Sequence, residues 1–397
     1  MTQDRLFASE EKVKELRKAK GKAEGPLQDK PIDHQEVQDP LEHIVDQPGE
    51  VEEVEEKVEE SELKMLEKIC ENYFKNDKAI ERFTSMSCGE FMAFVEECSP
   101  ALGMTTYMGT TRLSRITSTW IPGRAFIFLT LFWLRHYPTI DILSVLFQIH
   151  ERSCTRILKR TVVAMANTLA NEIQFPSDEE MEGLQYTAFQ NFNFPACICV
   201  VDGTEIRISR PKDSVSQSRT YSGKKKQNSL NVMLITKLNG EIIYYSSLRV
   251  GAHDQAHWNE LNLHEKFVGK AYGIMGDGGF TFNREGDEQV IHGFKPCRKS
   301  NGGALNAEEK IYNRKLSEVR VVVENAIRVI KAWKNMGGIY RHWRNGKGQI
   351  DGNKVLTICV TLANRKIQRN PLRANDWMAS DHIEVFNLLA LKGPDPL

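Results

Sequence analysis

Two short apolar runs, each followed by Asp-Gly, constrain this chain more than any other feature of its sequence. The first run spans Phe194–Val201 and breaks at Asp202-Gly203, and the second spans Ala271–Gly276 and breaks at Asp277-Gly278. Apolar runs of this length that are bounded by turn residues are typical of buried strands. A buried strand that ends in Asp-Gly places a carboxylate at the edge of a sheet, where solvent or a metal ion reaches it. The two endings therefore predict two carboxylates at one rim.

A third acid, Glu324, follows in the strongly helical stretch Arg320–Glu324. Carboxylate oxygens are the ligands that Mg²⁺ prefers, and three of them can hold hard cations. Two divalent ions about 3.5–4 Å apart suit in-line displacement at phosphorus. In this hypothesis Asp202 bridges two ions, and Asp277 and Glu324 each hold one. Because a lone Asp-Gly usually marks an ordinary turn and a lone helical Glu is usually solvated, the hypothesis depends on the convergence of all three acids.

Length and composition indicate a globular protein with one large domain or two domains. The chain has 397 residues, of which 41% are hydrophobic and 9% aromatic, which is ample for a core. No apolar run reaches the ~18 residues that a membrane span needs. The charged stretch Met1–Glu15 does not resemble a secretory signal. Eight cysteines occur without a CxxC pair, so structural zinc is not expected. We expect a protein of the cytosol or nucleus without a membrane segment.

The charge is unevenly distributed although the formal net charge is zero. Residues 31–60 hold twelve acids and one lysine, a net charge of −11, so the other segments together carry +11. This positive balance permits a polyanionic partner. Residues 1–62 hold few aromatics and several charge blocks and are predicted to form a disordered acidic tail. Val51, Val54 and Val58 repeat at heptad-like spacing in it, which leaves a short pairing helix as the alternative.

Residues 63–185 are predicted to form an all-helical domain. Apolar spacing indicates helices over Leu63–Phe74 and Cys88–Cys98, and Pro100 and Pro122 are predicted helix boundaries. A strongly apolar helix is expected to follow Pro122.

A short helix over Ile140–Gln148, a tight link and a longer helix over Arg152–Leu169 resemble a helix-turn-helix. The longer helix carries the basic residues predicted to contact DNA, which are Arg152, Arg156, Lys159 and Arg160. Any helical bundle contains such a pair of helices, and surface Arg and Lys are common. Ordinary solvated charge therefore stays open as the alternative.

Residues 190–370 are predicted to form an α/β domain, and residues 371–397 a C-terminal tail. Strands are predicted over Ala196–Val201 with Glu205–Ser209, Leu230–Lys237, Ile242–Val250 and Ala271–Met275, and helices over Asp254–Leu263, Ala307–Lys334 and Asp351–Ile367. Asn239-Gly240 predicts a hairpin turn between the second and third strands. The order of elements is that of a ribonuclease H-like domain, a mixed sheet flanked by helices. Asp202, Asp277 and Glu324 fall where that fold places its acids: on the first strand, after the fourth and on a late helix.

Basic residues and a His-Asp pair accompany the acids in the sequence. The basic residues predicted to contact DNA phosphates in this domain are Arg207, Arg210, Arg219, Lys224, Lys225 and Lys226. Solvated surface charge is the alternative for each of them. His253 and Asp254 are predicted to organise the loop beside the acids, with Asp254 supporting the metals or the attacking water. A zinc site from His253 and His257 lacks a third ligand.

Five motifs, taken together and in this order, resemble the DDE endonuclease domain of the PIF/Harbinger transposase superfamily, which includes the domesticated Harbinger-derived nuclease-like proteins of animals. The motifs are Val201-Asp-Gly-Thr204, Tyr221-Ser-Gly-Lys-Lys-Lys226 with Ser229-Leu-Asn231, Gly251-Ala-His-Asp254, Gly276-Asp-Gly-Gly-Phe280 and Arg320-Val-Val-Val-Glu324. The resemblance covers residues 196–363, and residues 105–170 are less distinctively similar to the helix-turn-helix region of that superfamily.

The resemblance implies that Asp202, Asp277 and Glu324 bind Mg²⁺, with Mn²⁺ as an alternative. It implies a nuclease that cuts at terminal inverted repeats and joins the freed 3′ ends to target DNA. It also implies a Myb/SANT-like accessory protein that helps to bring the enzyme to DNA and to the nucleus. The expected location is the nucleus together with the cytoplasm, with import that depends on this partner. Asn228 stands where relatives often carry His, so a general base is not expected there.

Three alternatives stay open. The chain could be a domesticated DNA- or protein-binding factor that keeps the fold without cutting. An RNA-cleaving ribonuclease H-like enzyme would use the same chemistry on another substrate. A homo-oligomer is compatible with either the enzyme or the binding factor.

Overall fold

The computed structural model describes residues 60–106, 120–184, 197–251, 253–283, 290–299, 303–342 and 350–373. All of these residues belong to one compact unit, residues 52–397. Residues 1–59 of the predicted acidic tail, with the valine repeat, and residues 374–397 of the predicted C-terminal tail lie outside the described residues. A search of the described helices found none with the length and apolar character needed to cross a membrane.

A helical bundle forms the first half of the described chain. Its helices are α1 (Glu60–Phe74), α2 (Asp77–Thr84), α3 (Cys88–Thr106), α4 (Trp120–His136), α5 (Ile140–Phe147) and α6 (Glu151–Leu169). The apolar helix α4 lies at the centre, where it contacts α1, α2, α3 and α6. Its side chains from Ile127 to Leu134 are all buried. A helix that is apolar on every side is stable only when other helices surround it, which explains the bundle.

Pro100 does not end a helix, so the predicted boundary there is wrong. Helix α3 continues through Pro100 to Thr106. Proline leaves the carbonyl four residues earlier without its helical hydrogen bond. Here that carbonyl belongs to Glu96, and both residues are exposed, so water can replace the missing donor. A second difference is α2, which the sequence analysis missed because eight residues are too few to show a clear helical period.

A mixed six-stranded sheet with packed helices forms the second half. The strands are β1 (Cys197–Arg207), β2 (Tyr221–Ser222), β3 (Gln227–Lys237), β4 (Ile242–Tyr245), β5 (Gly273–Met275) and β6 (Gly293–Phe294). The helices are α7 (Ser214–Thr220), α8 (Asp254–Glu260), α9 (Ala307–Lys331), α10 (Lys334–Gly337) and α11 (Gly352–Arg369). This arrangement confirms the predicted α/β class and its mixed sheet flanked by helices.

The strand order across the sheet is β2-β3-β1-β5-β6, with β4 also paired to β3. The central strand β1 is antiparallel to β3 and parallel to β5. The predicted hairpin at Asn239-Gly240 joins β3 to β4, and Gly240 has the positive φ of 97° that such a turn requires. The third predicted strand, Ile242–Val250, corresponds to β4. It is shorter than predicted and ends at Tyr245.

The central strand β1 runs without interruption through Asp202-Gly203, so the predicted break at this position is wrong. Asp202 lies opposite Leu234 of β3. On its other side β1 pairs with β5 only as far as Val200 and is bridged again only at Ile208. Within the described chain, residues 201–206 therefore have a free strand edge on this side. This gap gives access to Asp202 in the middle of the sheet.

Helix α9 packs across β1 and β3 and begins with a capping box. Asn306 Oδ1 accepts a hydrogen bond from the Glu309 amide at 2.8 Å, and the Glu309 carboxylate accepts one from the Asn306 amide at 2.7 Å. The buried side of α9 carries an apolar stripe of Leu316, Val319, Val322, Val323, Ala326 and Ile330. This packing fixes the helix that carries Glu324 over the free edge of β1.

Candidate active site

Asp202 lies at the centre of the candidate site, half-buried in β1. Burial raises the pKa of Asp202 to about 6. The Arg320 guanidinium opposes this increase in pKa, whereas the neighbouring carboxylates of Asp254 and Asp277 add to it. The amide of Gly203 donates a hydrogen bond of 3.0 Å to Asp202 Oδ1, which also favours the ionised form. Burial and neighbouring acids make it costly to ionise this carboxyl. A bound cation would reduce that free-energy cost.

Asp277 approaches Asp202 from the end of the neighbouring strand. It follows β5, which runs parallel to β1, and its Oδ1 accepts a hydrogen bond of 2.7 Å from the Gly279 amide. Its charge contributes to the raised pKa of Asp202. Two of the three predicted acids therefore come close to each other.

Glu324 lies on the predicted helix but does not join the other two acids. Its side chain is 45% exposed and pairs with Arg320, one turn earlier on α9, at a distance of 2.7 Å. No group of three His, Cys, Asp or Glu side chains in the described ranges could hold one metal ion. The expected convergence of three carboxylates is thus incomplete, because the third carboxylate is bound by a guanidinium.

The side chains available here suit a hard divalent cation, since Asp202, Asp277 and Glu324 offer only carboxylate oxygens. Arg320 pairs with Glu324 and acts electrostatically on Asp202, so its positive charge lies where both carboxylates can attract it. Glu324 would have to leave Arg320 before it could ligate an ion held by Asp202.

Asp254 supports the backbone beside Asp202. It begins α8, and its Oδ1 accepts a hydrogen bond of 3.2 Å from Asn231 Nδ2. A Cβ atom on Gly203 would overlap Asp254 Oδ1, so only glycine allows this close approach. Because successive side chains along a strand point to opposite faces, Asp254 meets the face of β1 opposite to the one from which Asp202 projects. Asp254 nevertheless raises the pKa of Asp202 more than Asp277 does, so the Asp254 carboxylate also acts on Asp202.

The two histidines near Asp254 have different environments. His253 is exposed at the start of α8 and makes no side-chain capping bond. His257 is buried, and its Nε2 lies 3.3 Å from the carbonyl oxygen of Val250.

Lys331 belongs to the site but was missed by the sequence analysis. Its Nζ donates a hydrogen bond of 2.9 Å to the Glu205 carbonyl on the free edge of β1. Burial and, to a smaller extent, the charge of Lys225 lower the pKa of Lys331 to about 8, while Glu205 and Asp202 act in the opposite direction. Lys331 follows Glu324 by seven residues, which places both on the same side of α9. This spacing was the signal that could have identified it.

The other predicted basic residues of the second half are exposed. Arg207 ends β1, Arg210 follows it, Arg219 lies on α7, and Lys224, Lys225 and Lys226 form the turn between β2 and β3. Their common feature is access to solvent.

The predicted helix-turn-helix pair is present as α5 and α6. Gln148 ends α5 with a left-handed φ of 50°, and His150 caps α6. The Glu62 carboxylate secures this turn, because it accepts hydrogen bonds from the His150 amide at 2.7 Å and from Ser153 Oγ at 2.6 Å. The four predicted basic residues of α6 lie on the side that is not buried: Arg152 is exposed, and Arg156, Lys159 and Arg160 are partly exposed.

Comparisons with known proteins found two families that match parts of the chain. Residues 201–364 match the family described as DDE superfamily endonuclease, and residues 127–171 match the helix-turn-helix of DDE superfamily endonuclease. The first match extends from the residue before Asp202 to the middle of α11, and the second covers most of α4 with α5 and α6.

The chain is also similar to a probable transposase for insertion sequence element IS702 from Microchaete diplosiphon. The two are 28% identical over 184 residues, which are 46% of this chain and 62% of that relative. The similarity therefore spans less than two thirds of the relative's length. No solved structure matches the chain at a significant level. Residues 201–364 of the chain are thus similar to the endonuclease of the DDE superfamily, and residues 127–171 are similar to its helix-turn-helix.

Proposed function

We propose that the chain is a metal-dependent DNA endonuclease and transposase of the Harbinger type. It hydrolyses phosphodiester bonds at transposon ends and joins the 3′ ends to target DNA. The observation that carries the proposal is the placement of Asp202 on the free edge of β1, beside Asp277 and under the helix that bears Glu324. A ribonuclease H-like topology of the sheet and the similarity to a probable transposase support it.

In this proposal Asp202, Asp277 and Glu324 hold a divalent cation, Mg²⁺ or Mn²⁺. When bound, such an ion activates the attacking oxygen and stabilises the negative charge that develops at phosphorus. The chain's own residues prepare the site. Gly203 and Asp254 fix the backbone that orients the Asp202 carboxylate, and Lys331 places a positive charge at the same strand edge for the substrate's phosphate groups.

DNA is the proposed partner of both parts of the chain. The basic residues of α6 would contact DNA through the helix-turn-helix, and the exposed Arg207, Arg210, Arg219 and the lysine turn would contact the backbone near the acids. The resemblance to the Harbinger type also supports a Myb/SANT-like accessory protein and a nuclear location that depends on it.

The experiment that tests the proposal is cleavage of supercoiled plasmid and of inverted-repeat DNA by the full chain with Mg²⁺ or Mn²⁺. We expect nicking by the wild type, none by Asp202→Ala, and none by Glu324→Ala. Glu318→Ala is the matched control, because Glu318 lies on the same helix and pairs with Arg314 at 3.6 Å. It should cut like the wild type.

A second candidate function is a domesticated factor that binds DNA or protein without cutting. The pairing of Glu324 with Arg320 favours it, since this pairing keeps the third carboxylate away from a metal ion. Intact DNA after incubation with the wild type, even with the accessory protein present, would support this function against the enzyme.

A further inference from the structure

Glu205 connects the strand that carries Asp202 to the basic turn between β2 and β3. Its Oε1 accepts a hydrogen bond of 2.9 Å from Ser222 Oγ, and its Oε2 accepts one of 2.8 Å from Ser229 Oγ. Ser222 Oγ in turn accepts a hydrogen bond of 3.3 Å from the amide of Lys225. A continuous set of hydrogen bonds therefore runs from β1 to the backbone of Lys225.

The turn that carries Lys225 has a defined conformation. Lys226 adopts a left-handed φ of 53°, which a residue other than glycine keeps only when its surroundings hold it there. Asn228, buried at the start of β3, donates hydrogen bonds of 2.9 Å to the Gln217 carbonyl and to Thr220 Oγ1. The turn is thus fixed from both of its ends, by Glu205 and by Asn228.

Lys225 and Lys331 place two positive charges near each other at the free edge of β1. Lys331 Nζ is held by the Glu205 carbonyl at 2.9 Å. The charge of Lys225 is the largest electrostatic influence that lowers the pKa of Lys331. Neither ammonium group forms an ion pair with any residue that the structure describes. The Glu205 and Asp202 carboxylates offset part of this positive charge. Two like charges that no ion pair neutralises still favour an anion between them.

We propose that Lys225 and Lys331 form a binding site for a phosphate of the DNA backbone, and that Glu205 is the positioning residue that builds it. This inference rests on the proposed function, since it assumes that DNA lies along the free edge of β1. Glu205 touches neither the DNA nor the acids. It acts through Ser222 on the backbone of Lys225, and its carbonyl holds Lys331.

The test measures binding of the full chain to a duplex of 30 base pairs, without a divalent ion, at a series of KCl concentrations. Loss of one phosphate contact lowers the slope of log K against log salt by about one. We expect Lys225→Met to show this decrease and to weaken binding about fivefold at low salt. Lys310→Met is the matched control, because it removes an exposed lysine of α9 that is not among the proposed DNA contacts. It should change the slope by less than half as much.

Glu205→Gln distinguishes positioning from simple charge. The substitution removes no cation, so a residue without this role would leave the slope unchanged or increase it. We expect the slope to fall by the same amount as in Lys225→Met, and the double variant to fall no further. Ser222→Ala interrupts the same connection at the turn and should reproduce the effect. If Glu205→Gln does not fold, Ser222→Ala tests the same connection.

Two outcomes would overturn the inference: equal effects of Lys310→Met and Lys225→Met, or an unchanged slope in both Glu205→Gln and Ser222→Ala. Inorganic phosphate is the second probe. Tight binding of free phosphate to the wild type, lost in Lys225→Met, would assign the site to a small anion and contradict the assignment to DNA. The proposed function fails separately, when the wild type binds DNA through these lysines and still leaves it uncut with Mg²⁺ and Mn²⁺.

Discussion

At the scale of single residues, Asp202 combines burial with the negative charge of its neighbours. A buried carboxyl near Asp254 and Asp277 keeps its proton to a higher pH than an exposed one, and Arg320 compensates only in part. The chain therefore maintains an unfavourable ionised group in the middle of its central strand. Such a group suits cation binding and reduces stability when no cation is present.

Asp202→Asn should make the metal-free protein more stable at pH 8. The pKa of Asp202 is raised to about 6 in the folded chain, so the folded chain binds its proton more tightly than the unfolded chain does. Stability is therefore lost as the pH rises from about 4 through about 6. We expect the variant to gain about 2 kcal/mol at pH 8 and little at pH 3.5, measured by urea unfolding.

Asp178→Asn is a control of opposite sign. Hydrogen bonds from Lys270 and Tyr272 lower the pKa of Asp178, so its ionised form stabilises the fold above its unfolded pKa. That variant should lose stability at pH 8. A loss of stability at pH 8 in Asp202→Asn would contradict our account of the site's electrostatics.

Gly203→Ala should disturb the contact between β1 and Asp254. The added Cβ would overlap Asp254 Oδ1, whereas a Cβ on Gly223 would meet nothing within 4 Å. We expect Gly203→Ala to destabilise the protein by about 2 kcal/mol and Gly223→Ala to have little effect. Asp254→Ala should make room, so the double variant should lose less than the sum of the single variants. Additive losses in a thermal unfolding cycle would rule out the contact.

The sequence identifies the acids but not their partners. Asp202, Asp277 and Glu324 can be selected from strand endings, helical periodicity and the resemblance. The contact of Gly203 with Asp254 and the role of Lys331 depend on residues that are far apart in the chain. The spacing of seven residues from Glu324 places Lys331 on the same side of α9, but no local pattern encodes its contact with the Glu205 carbonyl or the contact of Gly203 with Asp254.

At the scale of elements, the site is built from one strand edge and one helix. Strand β1 loses its partner β5 after Val200, and α9 packs against β1 and β3. The pair of Arg320 and Glu324 lies on this helix, at the edge of the gap. We infer that the pair keeps the third carboxylate apart from Asp202 until a stronger cation replaces the guanidinium.

Arg320→Met should strengthen the binding of Mn²⁺. It removes a positive charge near Asp202 and releases Glu324, both of which favour a divalent ion. We expect the affinity to rise roughly fivefold or more, measured by isothermal titration calorimetry. Arg314→Met is the matched control, since Arg314 pairs with Glu318 on the same helix at 3.6 Å, and it should bind Mn²⁺ like the wild type. Weaker binding by Arg320→Met would mean that Arg320 assists the site.

The order of elements was more predictable than their ends. The Asn239-Gly240 turn was sufficient to predict the strand order around β3. Apolar periodicity was sufficient to predict the long helix α9. The uninterrupted path of β1 through Asp202-Gly203 was not predicted, because Asp-Gly normally ends a strand. Pairing with β3 along the whole length of β1 overrides that local preference. Pro100 shows the same effect in α3, where an exposed position tolerates a missing hydrogen bond.

At the scale of the whole molecule, the helical bundle and the mixed sheet share one core. Helix α11 packs against both α9 and α6. Its Arg365 pairs with Glu97 of α3 at 2.6 Å and also with Glu172 after α6. DNA held by the bundle would therefore have a fixed orientation relative to the acids.

Arg365→Met should destabilise the chain more than Arg369→Met. Loss of Arg365 leaves Glu97 and Glu172 without their common partner, whereas Arg369 is 44% exposed and pairs with Glu90. We expect a loss of about 2 kcal/mol for Arg365→Met and less than half of that for Arg369→Met. Calorimetry should show one unfolding transition in both. Separate transitions for the bundle and the sheet in the wild type would contradict a shared core.

The most direct test of the central claim is Mn²⁺ binding by the full chain, followed by electron paramagnetic resonance. We predict that the wild type removes free Mn²⁺ from solution and that Asp202→Asn, Asp277→Asn and Glu324→Gln each lose this ability. Glu318→Gln should retain it. A wild type that leaves Mn²⁺ free, or three variants that bind it as well as the wild type does, would contradict the claim that these carboxylates form a cation site.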